Sequence, residues 1–406
     1  MDESEGSDFE LAEGEEEDVA EESEHESLPD EIRQDFDISE PRSHSYLFNE
    51  DTVEVINIDF LPDDKSHTLR YIRIEQVIVP GERLPLSPRC PFSMQNLQKI
   101  IESKQLVILL SNTRAAEYDP HHNAHVMQLP CIAVVAKITK HQIENGPHAF
   151  GMKRVSAELC AIHRCKVFSM DFANRKCGFT ILPEYLRPSV MSLTLPNYAL
   201  SWSPAKKAAL CSSLINYPMC AIYDLAEKHC EILIKHLSPW FGEKSLRNIL
   251  SMGKVPFGFW VAANFMLNTD QKYELLSEDS TDVRLAQLAE HVRKVNRVAC
   301  TNCGIILFKT ADIIRMSCDG IGGNYVNPGG VVHNLVTVSQ VDNFQYRGPS
   351  STEFCWFPGY RWKIIMCARC DDHLGWEYSS DHLKPRRFFG MTFGSLKPIP
   401  DLTEED

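Results

Sequence analysis

The chain has 406 residues, of which 43% are hydrophobic, enough to fill the cores of two or three domains. Its formal net charge is −15, but sixteen of the 56 acidic residues lie within residues 1–32, which leaves 40 against 41 Lys and Arg elsewhere. The body of the protein therefore lacks the basic face that nucleic-acid binding requires. No apolar run approaches the ~20 residues that span a bilayer, and no signal peptide is apparent, so we expect no membrane span.

Residues 1–40 are predicted to be a disordered acidic tail, because high negative charge is combined there with few apolar groups. The acidic run Glu15–Asp18 is typical of a solvated tail, although an electrostatic lure for a basic partner is an alternative. A second, short acidic tail is expected at residues 403–406.

Residues beyond the tail alternate between β-branched runs and turns, which predicts strands. One strand ends at the turn Pro80–Gly81, and a short amphipathic helix is expected at Phe92–Lys104. Many short strands with one helix predict a small β barrel or sandwich. The further strands are expected at Leu106–Leu110, Cys131–Ile138, Val155–Ala161 and Phe179–Pro183.

From about Ser203 the apolar period becomes helical and predicts a bundle that packs on the β domain. The first predicted helix begins near Met219 and stops before Pro239. The others are expected at Lys244–Met252, Phe257–Leu267 and Asp282–Lys294.

Two Cys-x-x-Cys pairs are the most specific chemical motif in the chain. Cys300 and Cys303 are separated from Cys367 and Cys370 by 63 residues. Four thiolates can form the closed tetrahedral shell of one structural zinc, which leaves no open position for a reacting water. The other ten cysteines show no disulfide framework, so we expect a reducing compartment, the cytoplasm or nucleus.

Half of the six tryptophans, Trp356, Trp362 and Trp376, fall within 21 residues of the region between and after the cysteine pairs. A single tryptophan there is most simply a core residue, because indole rings bury large areas. Three together, beside the rigid Pro358–Gly359, suggest walls around a small flat or cationic group.

Several short motifs in residues 325–392 match one family. They are Tyr325-Val326-Asn327-Pro328, Ser351-Thr352-Glu353, Trp356-Phe357-Pro358-Gly359-Tyr360-x-Trp362, Cys367-x-x-Cys370, His373-x-Gly375-Trp376 and Phe389-Gly390-Met391-Thr392. They resemble the thalidomide-binding domain of the cereblon family, and the whole chain is similar to that family in order and length.

The resemblance implies a β-tent fold around zinc at residues 295–402, with a cage that accepts glutarimide drugs and C-terminal cyclic imides of proteins. The cage residues it implies are Trp356, Trp362 and Trp376 as walls, Tyr378 at the floor, and Asn327 and Pro328 on a covering loop. This chain departs from the family at Phe354 and Gly329, where the family usually has histidines. Since the Phe354 backbone still carries an acceptor, we expect imide binding that is weaker by about 0.5–1.5 kcal/mol, the net worth of one hydrogen bond.

The Pro-Gly-x-x-Leu-Pro-Leu stretch at residues 80–86 and the helix after it resemble the amino-terminal domain of Lon proteases, as the cereblon resemblance also implies. We assign this domain to residues 68–294. No phosphate-binding Gly-x-x-x-x-Gly-Lys-Ser/Thr loop occurs, so the module is interpreted as a scaffold. The expected fold class is α+β and multidomain: a Lon-N-like β domain with a packed helical bundle, followed by a zinc-binding β-tent domain.

Residues 203–253 are expected to bind a partner, because part of this segment resembles the region of cereblon that docks on the DNA damage-binding adaptor of cullin-4 ubiquitin ligases. Exposed aromatic residues are the expected anchors, since such residues dominate interface energetics. The candidates are Tyr217, Tyr223, Trp240 and Phe241.

The sequence thus predicts a non-catalytic substrate receptor of a ubiquitin ligase, which binds degron-bearing proteins and small imide ligands. Alternatives are a small-molecule sensor without a ligase role, or a zinc-containing reductase of the methionine sulfoxide reductase B type using Cys318 or Cys355. The reductase is disfavoured because that family has its catalytic cysteine late in the domain, and no cysteine follows Cys370. His333 and His373 have no Ser or Cys partner at a recognisable motif spacing, which disfavours a hydrolase. The even charge of the body disfavours a zinc-ribbon nucleic-acid binder.

Overall fold

The structure is a computed structural model that describes residues 33–55, 61, 65–111, 116–119, 124–144, 154–184, 203–206 and 219–400. Within these ranges the chain is a mixed α+β protein with a β barrel, a helical segment and a carboxyl-terminal domain of two sheets. Most of the predicted acidic tail, residues 1–32, and the short tail at 403–406 lie outside the described residues. None of the described helices is long and apolar enough to cross a membrane.

Of the two predicted alternatives, a small β barrel or a sandwich, the structure has the barrel. Its strands are β2 (Val53–Glu54), β3 (Ser66–Ile74), β4 (Arg83–Leu86), β5 (Val107–Ser111), β8 (Cys131–Ile143), β9 (Val155–Asp171) and β10 (Lys176–Ile181), and a separate hairpin contains β6 (Ala116–Asp119) and β7 (Ala124–Met127). Five strands pair around a closed circle: β8 pairs with β5 and β9, β3 pairs with β5 and β10, and β10 pairs with β9. Short strands β2 and β4 extend the sheet from β8 and β9.

Strand β5 shows why the barrel strands appear as continuous apolar runs. Its residues alternate between two buried clusters: Val107 and Leu109 pack with residues of the helical segment, whereas Ile108 and Leu110 pack with residues of the other barrel strands. A strand that is buried on both faces has no polar face to display. The apolar run therefore reflects double burial.

The helices match the predicted segment with differences at their ends. They are α1 (Glu40–Ser43), α2 (Pro91–Ser103), α3 (Met219–Phe241), α4 (Glu243–Ser251), α5 (Lys254–Asn264), α6 (Thr269–Ser277) and α7 (Thr281–Lys294). Helix α3 does not stop before Pro239, because a proline in the last turn removes only one helical hydrogen bond and the Gly242 N–H still bonds to the Ser238 carbonyl. Helix α6 was not predicted, although Asn268 and Gln271 form the capping box that marks its start.

The carboxyl-terminal domain, called here the four-cysteine domain, contains a three-stranded and a six-stranded antiparallel sheet. The order in the small sheet is β12 (Ile306–Lys309), β11 (Val295–Cys300) and β20 (Leu396–Pro400). The order in the large sheet is β13 (Gly322–Val326), β14 (Val332–Val338), β19 (Arg387–Thr392), β17 (His373–Ser379), β16 (Arg361–Cys367) and β15 (Phe344–Ser351).

Order begins earlier than predicted, because residues from Arg33 onwards bind to the four-cysteine domain. Strand β1 (Gln34–Asp35) pairs in parallel with β18 (Leu383–Lys384). The Phe36 ring lies 5.4 Å from the ring of Tyr360. This apolar contact was not expected from the high negative charge of residues 1–40. The predicted tail boundary at residue 40 is therefore too late.

Candidate functional site: a cysteine cluster and an aromatic cage

The four cysteines come together at the ends of two hairpins. Cys300 ends β11 and Cys303 lies in the turn before β12; Cys367 ends β16 and Cys370 lies in the turn before β17. Their sulfur atoms lie within 4.8 Å of one another, with 3.6 Å between Cys300 and Cys370 and 3.5 Å between Cys303 and Cys367. The sulfur atoms of a tetrahedral zinc thiolate site are about 3.8 Å apart. The predicted cluster is confirmed, and its dimensions fit one metal ion.

The two cysteine turns have the same backbone geometry. The Gly304 N–H donates to the Cys300 carbonyl and the Asp371 N–H donates to the Cys367 carbonyl, each at 2.9 Å. Both donors adopt positive φ, +74° and +57°, which a tight turn requires and glycine and aspartate tolerate. The Ile305 amide hydrogen-bonds to Cys303 and lowers the pKa of its thiol to about 7, whereas burial raises the pKa values of Cys300 and Cys370. The matching turns thus bring the four sulfur atoms together from two hairpins.

The aromatic cage is built from two strands and the loop that precedes them. Trp356 lies in the loop before β16, and its ring is 4.8 Å from the ring of Trp376 on β17, at an interplanar angle of 75°. Trp362, on β16, belongs to the same cluster and is half-buried, as is Trp376. The structure therefore brings the three predicted tryptophans together.

Hydrogen bonds from the indole nitrogens fix two of these rings. Trp356 Nε1 donates to the Val326 carbonyl at 3.2 Å, and Trp362 Nε1 donates to the Glu353 carbonyl at 2.9 Å. Trp356 is also stacked on Tyr325, with 5.4 Å between the ring centroids, and is 6% exposed, whereas Trp362 is half-buried. The orientation of both walls is thus determined by the protein and does not depend on a ligand.

The sequence did not predict that His333 would belong to this site. Its ring lies 5.6 Å from the ring of Trp356 and 5.0 Å from that of Trp376. Asn327 Nδ2 lies 3.3 Å from His333 Nε2, and burial lowers the pKa of His333 to about 4, so a neutral imidazole accepts this bond. The sequence clue to this role of His333 was its place in the strand after the Asn-Pro turn. There it pairs with Tyr325 of the strand before the turn.

Asn327 and Pro328 lie in the turn between β13 and β14. The Val331 N–H donates to the Asn327 side chain at 2.9 Å, which tightens the turn. Arg89, from the barrel domain, donates to the Pro328 carbonyl. Gly330 packs so closely on the barrel domain that a Cβ there would lie 2.5 Å from the Ser87 carbonyl oxygen. The predicted covering loop is therefore held against the barrel domain.

Tyr378 and Phe354 occupy opposite environments. Tyr378 is fully buried, with its ring stacked 5.0 Å from Phe388 and edge-on 4.7 Å from Phe357. Phe354 is 53% exposed and adopts the left-handed conformation with φ +53°. Among the described residues, the backbone N–H and carbonyl of Phe354 and the N–H of Trp356 have no hydrogen-bond partner. These groups are available to a ligand beside the cage.

The two spare thiols lie in different environments. Burial raises the pKa of Cys355 to about 11, and its thiol donates to the Phe357 carbonyl. Cys318 accepts a long contact from Arg42. A catalytic thiol needs a lowered pKa, so the environment of Cys355 gives no support to the reductase alternative.

The four candidate adaptor contacts differ in their exposure. Tyr217 lies outside the described residues, and Tyr223 lies in α3 with a side chain outside them. Trp240 is half-buried, with its ring 6.3 Å from that of Phe265. The predicted exposure of Phe241 is wrong: it is 6% exposed and packs edge-on against Trp260 at 4.6 Å, because the extended α3 turns this residue towards the core.

No family model matches the chain. Curated relatives do match over most of its length. It is 26% identical over 402 residues to "Protein cereblon" of Gallus gallus, covering 91% of this chain and 86% of the relative. Proteins with the same name in Xenopus tropicalis and Danio rerio are 26% and 25% identical over 404 and 396 residues, covering 91% of this chain and 86% and 89% of the relatives.

Proposed function

We propose that this chain, which belongs to the cereblon family, is the substrate-recognition subunit of a cullin-4 RING ubiquitin ligase. It would hold the DNA damage-binding adaptor with its helical segment and present the cage to degrons. The observation that carries the proposal is the packing of the Trp356 and Trp376 rings at 75°, 4.8 Å apart, beside the unpaired backbone groups of Phe354 and Trp356. Cytoplasmic and nuclear location follows from the same family assignment as a prediction.

Ligand binding would combine ring stacking with backbone hydrogen bonds. A flat imide ring between indole faces removes apolar surface from water. The imide N–H would donate to the Phe354 carbonyl, and an imide oxygen would accept from the Trp356 N–H. These are the groups that have no partner within the described part of the chain. The ligands supported in this way are glutarimide compounds and C-terminal cyclic imides of proteins.

The metal at Cys300, Cys303, Cys367 and Cys370 is proposed to be one structural zinc ion. All four donors are sulfur atoms at distances that suit a tetrahedral shell. Its contribution would be to pin the β11–β12 turn to the β16–β17 turn, and so to hold the two sheets together. The receptor itself would form and break no bonds, because ubiquitin transfer follows from holding a substrate near the transferring enzyme.

Calorimetric titration of the full chain with a glutarimide tests the cage. We expect saturable one-to-one binding that weakens by at least about 30-fold in Trp362→Ala, since a central aromatic anchor contributes 2 kcal/mol or more. Tyr346→Ala is the matched control, because this exposed ring lies on the neighbouring strand β15 opposite Ile365. Absence of binding to the metal-loaded protein, or equal loss in both variants, would contradict the proposal.

Adaptor docking needs a separate test. We expect the purified adaptor to co-elute with the full chain in size-exclusion chromatography, and Trp240→Ala to weaken the complex by about tenfold or more. Glu231→Ala, an exposed residue of the same helix, serves as the control. If no complex forms with the wild-type chain, the proposed ligase role is contradicted, even when the cage binds imides.

A further inference from the structure

Tyr46 lies between the amino-terminal segment and the four-cysteine domain. Its hydroxyl oxygen accepts a hydrogen bond from the Val326 N–H at 3.2 Å and lies 3.1 Å from His44 Nδ1. Burial raises the pKa of the Tyr46 phenol, so the hydroxyl keeps its proton and donates it to His44. Val326 is the residue whose carbonyl accepts the indole N–H of Trp356. A continuous chain of hydrogen bonds therefore connects His44 with one wall of the cage.

The position of His44 is determined by its surroundings. It is buried, adopts φ +49°, and its ring lies 5.8 Å from the rings of both Tyr46 and Tyr325. Because Nδ1 accepts from Tyr46, the proton of the neutral imidazole lies on Nε2. This nitrogen is 3.6 Å from Oε2 of Glu158. This contact is longer than a hydrogen bond, so the imidazole of His44 packs against a carboxylate of the barrel without being hydrogen-bonded to it.

Glu158 is the buried carboxylate against which His44 packs. It lies on β9 and is 1% exposed. Its Oε1 accepts from Arg83 at 2.9 Å and from the Thr139 hydroxyl at 2.7 Å, which fixes the carboxylate in the barrel. Its Oε2 has no hydrogen-bond partner among the described residues, and His44 Nε2 and Lys140 Nζ lie 3.6 and 3.7 Å from it.

We infer that Tyr46 and His44 are positioning residues of the cage: His44 packs against Glu158 of the barrel and accepts from Tyr46, whose hydroxyl accepts from Val326 and thereby holds the Trp356 wall. The ligand-binding part of this inference rests on the proposed function. The structural part does not, because the hydrogen bonds exist in the protein without a ligand. In this arrangement the barrel domain and the amino-terminal segment set the geometry of a site that neither of them lines.

Hydrogen exchange in the ligand-free full chain tests the structural part. NMR would follow the indole N–H of Trp356 and the amide of Val326 at pH 7. Tyr46→Phe removes one hydroxyl and keeps the ring, and we expect both protons to exchange about 2- to 10-fold faster. The control is Tyr360→Phe, whose hydroxyl donates to the Pro385 carbonyl in the same aromatic core. Unchanged exchange in Tyr46→Phe, or equal acceleration in the control, would overturn the inference.

A double variant separates a connected chain from two independent packing contacts. His44→Asn removes the imidazole with a residue that tolerates positive φ. If His44 acts through Tyr46, the double variant exchanges no faster than the faster single variant. If the acceleration of exchange in the double variant equals the product of the two single accelerations, the two residues act separately. That result would contradict the hydrogen-bonded chain from His44 to Trp356.

Glutarimide titration of the same variants tests the ligand-binding part. We expect Tyr46→Phe to weaken binding by about 2- to 10-fold without changing the stoichiometry. If the wild-type chain binds no imide, the proposed function fails, while the exchange measurements still decide whether Tyr46 holds Trp356. If the wild type binds and Tyr46→Phe binds equally well, the positioning role is wrong.

Discussion

Phe354 is the residue next to the proposed ligand at which the resemblance to the cereblon family predicts a histidine. Its side chain points into solvent, and its left-handed backbone conformation costs energy for a residue that is not glycine. Such strain persists only when the surrounding structure holds it, and here it accompanies unpaired backbone groups at the edge of the cage. The proposed imide recognition would therefore use the backbone at this position, without a side-chain hydrogen bond.

Restoring the family residue tests that interpretation. We expect Phe354→His to bind a glutarimide more tightly by about 2- to 12-fold, the worth of one additional hydrogen bond of 0.5–1.5 kcal/mol. Calorimetry measures this directly. Phe172→His, an equally exposed substitution on the barrel domain, should leave affinity unchanged. Equal or weaker binding in Phe354→His would show that a histidine at this position adds no hydrogen bond to the ligand.

His44 gives the protein a predictable response to acid. Burial lowers its pKa from 6.5 to about 4, and Lys140 and Arg83 oppose the raising effect of Glu158. As the pH falls, His44 of the unfolded chain therefore binds a proton before His44 of the folded chain does. The stabilisation from neutral, buried His44 is fully present above pH ~6.5 and is lost as the pH falls towards 4. We expect this loss to lower the free energy of unfolding by about 3 kcal/mol.

Urea unfolding at a series of pH values measures this loss. In His44→Asn, the free energy of unfolding should change less between pH 6.5 and 4 than in the wild type. An equal change in that variant would mean that His44 does not cause the loss of stability.

At the scale of elements, the two cysteine turns organise the four-cysteine domain. Each turn joins two adjacent strands, one pair in the small sheet and one in the large sheet. The carbonyl of each leading cysteine accepts from a residue with positive φ four positions later. Asn343 bridges the two hairpins, because its side chain donates to the Ile306 carbonyl and its own carbonyl accepts from the Ala368 N–H. A bound metal would add a second bridge and would supply folding free energy directly.

Loss of one thiolate should therefore unfold this domain. We expect Cys367→Ser, or treatment of the wild type with a strong chelator, to abolish the cooperative thermal transition of the domain. Elemental analysis should give one zinc per wild-type chain and none in the variant. Cys318→Ser keeps the cluster and should keep the transition. Unchanged thermal stability in Cys367→Ser would remove the structural role of the metal.

At the scale of the whole molecule, two fully buried arginines join the barrel to the helical segment. Arg164, on β9, donates to the carbonyls of Leu276 and Glu278 and to Glu184. Arg284, on α7, donates to the carbonyl of Leu275 and also pairs with Glu184. Such a network is costly to interrupt because the remaining groups stay buried without partners.

Arg164→Met tests the cost of breaking this junction. We expect the free energy of unfolding to fall by about 3–5 kcal/mol, because the Leu276 carbonyl loses its buried donor and Glu184 keeps only Arg284 of its two arginine partners. Denaturant unfolding measures it. Arg247→Met breaks two exposed ion pairs on the helical segment and should cost less than about 1 kcal/mol. Similar losses in the two variants would contradict the assignment of the junction to Arg164.

The amino-acid sequence by itself determined the elements whose evidence is local or carried by motifs. The Cys-x-x-Cys spacing predicted the four-cysteine cluster, the apolar runs predicted a small β barrel or sandwich, and the tryptophan motif predicted the residues that meet in the cage. Periodicity and ligand spacing act over a few residues, so they can be read along the chain.

Only the tertiary structure decided which distant residues share an environment. It placed Phe241 in the core, brought His333 against the cage, and connected Tyr46 to Val326, 280 positions away in the sequence. The same packing paired β1 with β18 and ended the predicted tail early. The physical reason is that burial and long-range hydrogen bonds depend on how elements pack against each other, and no local pattern of residues records that packing.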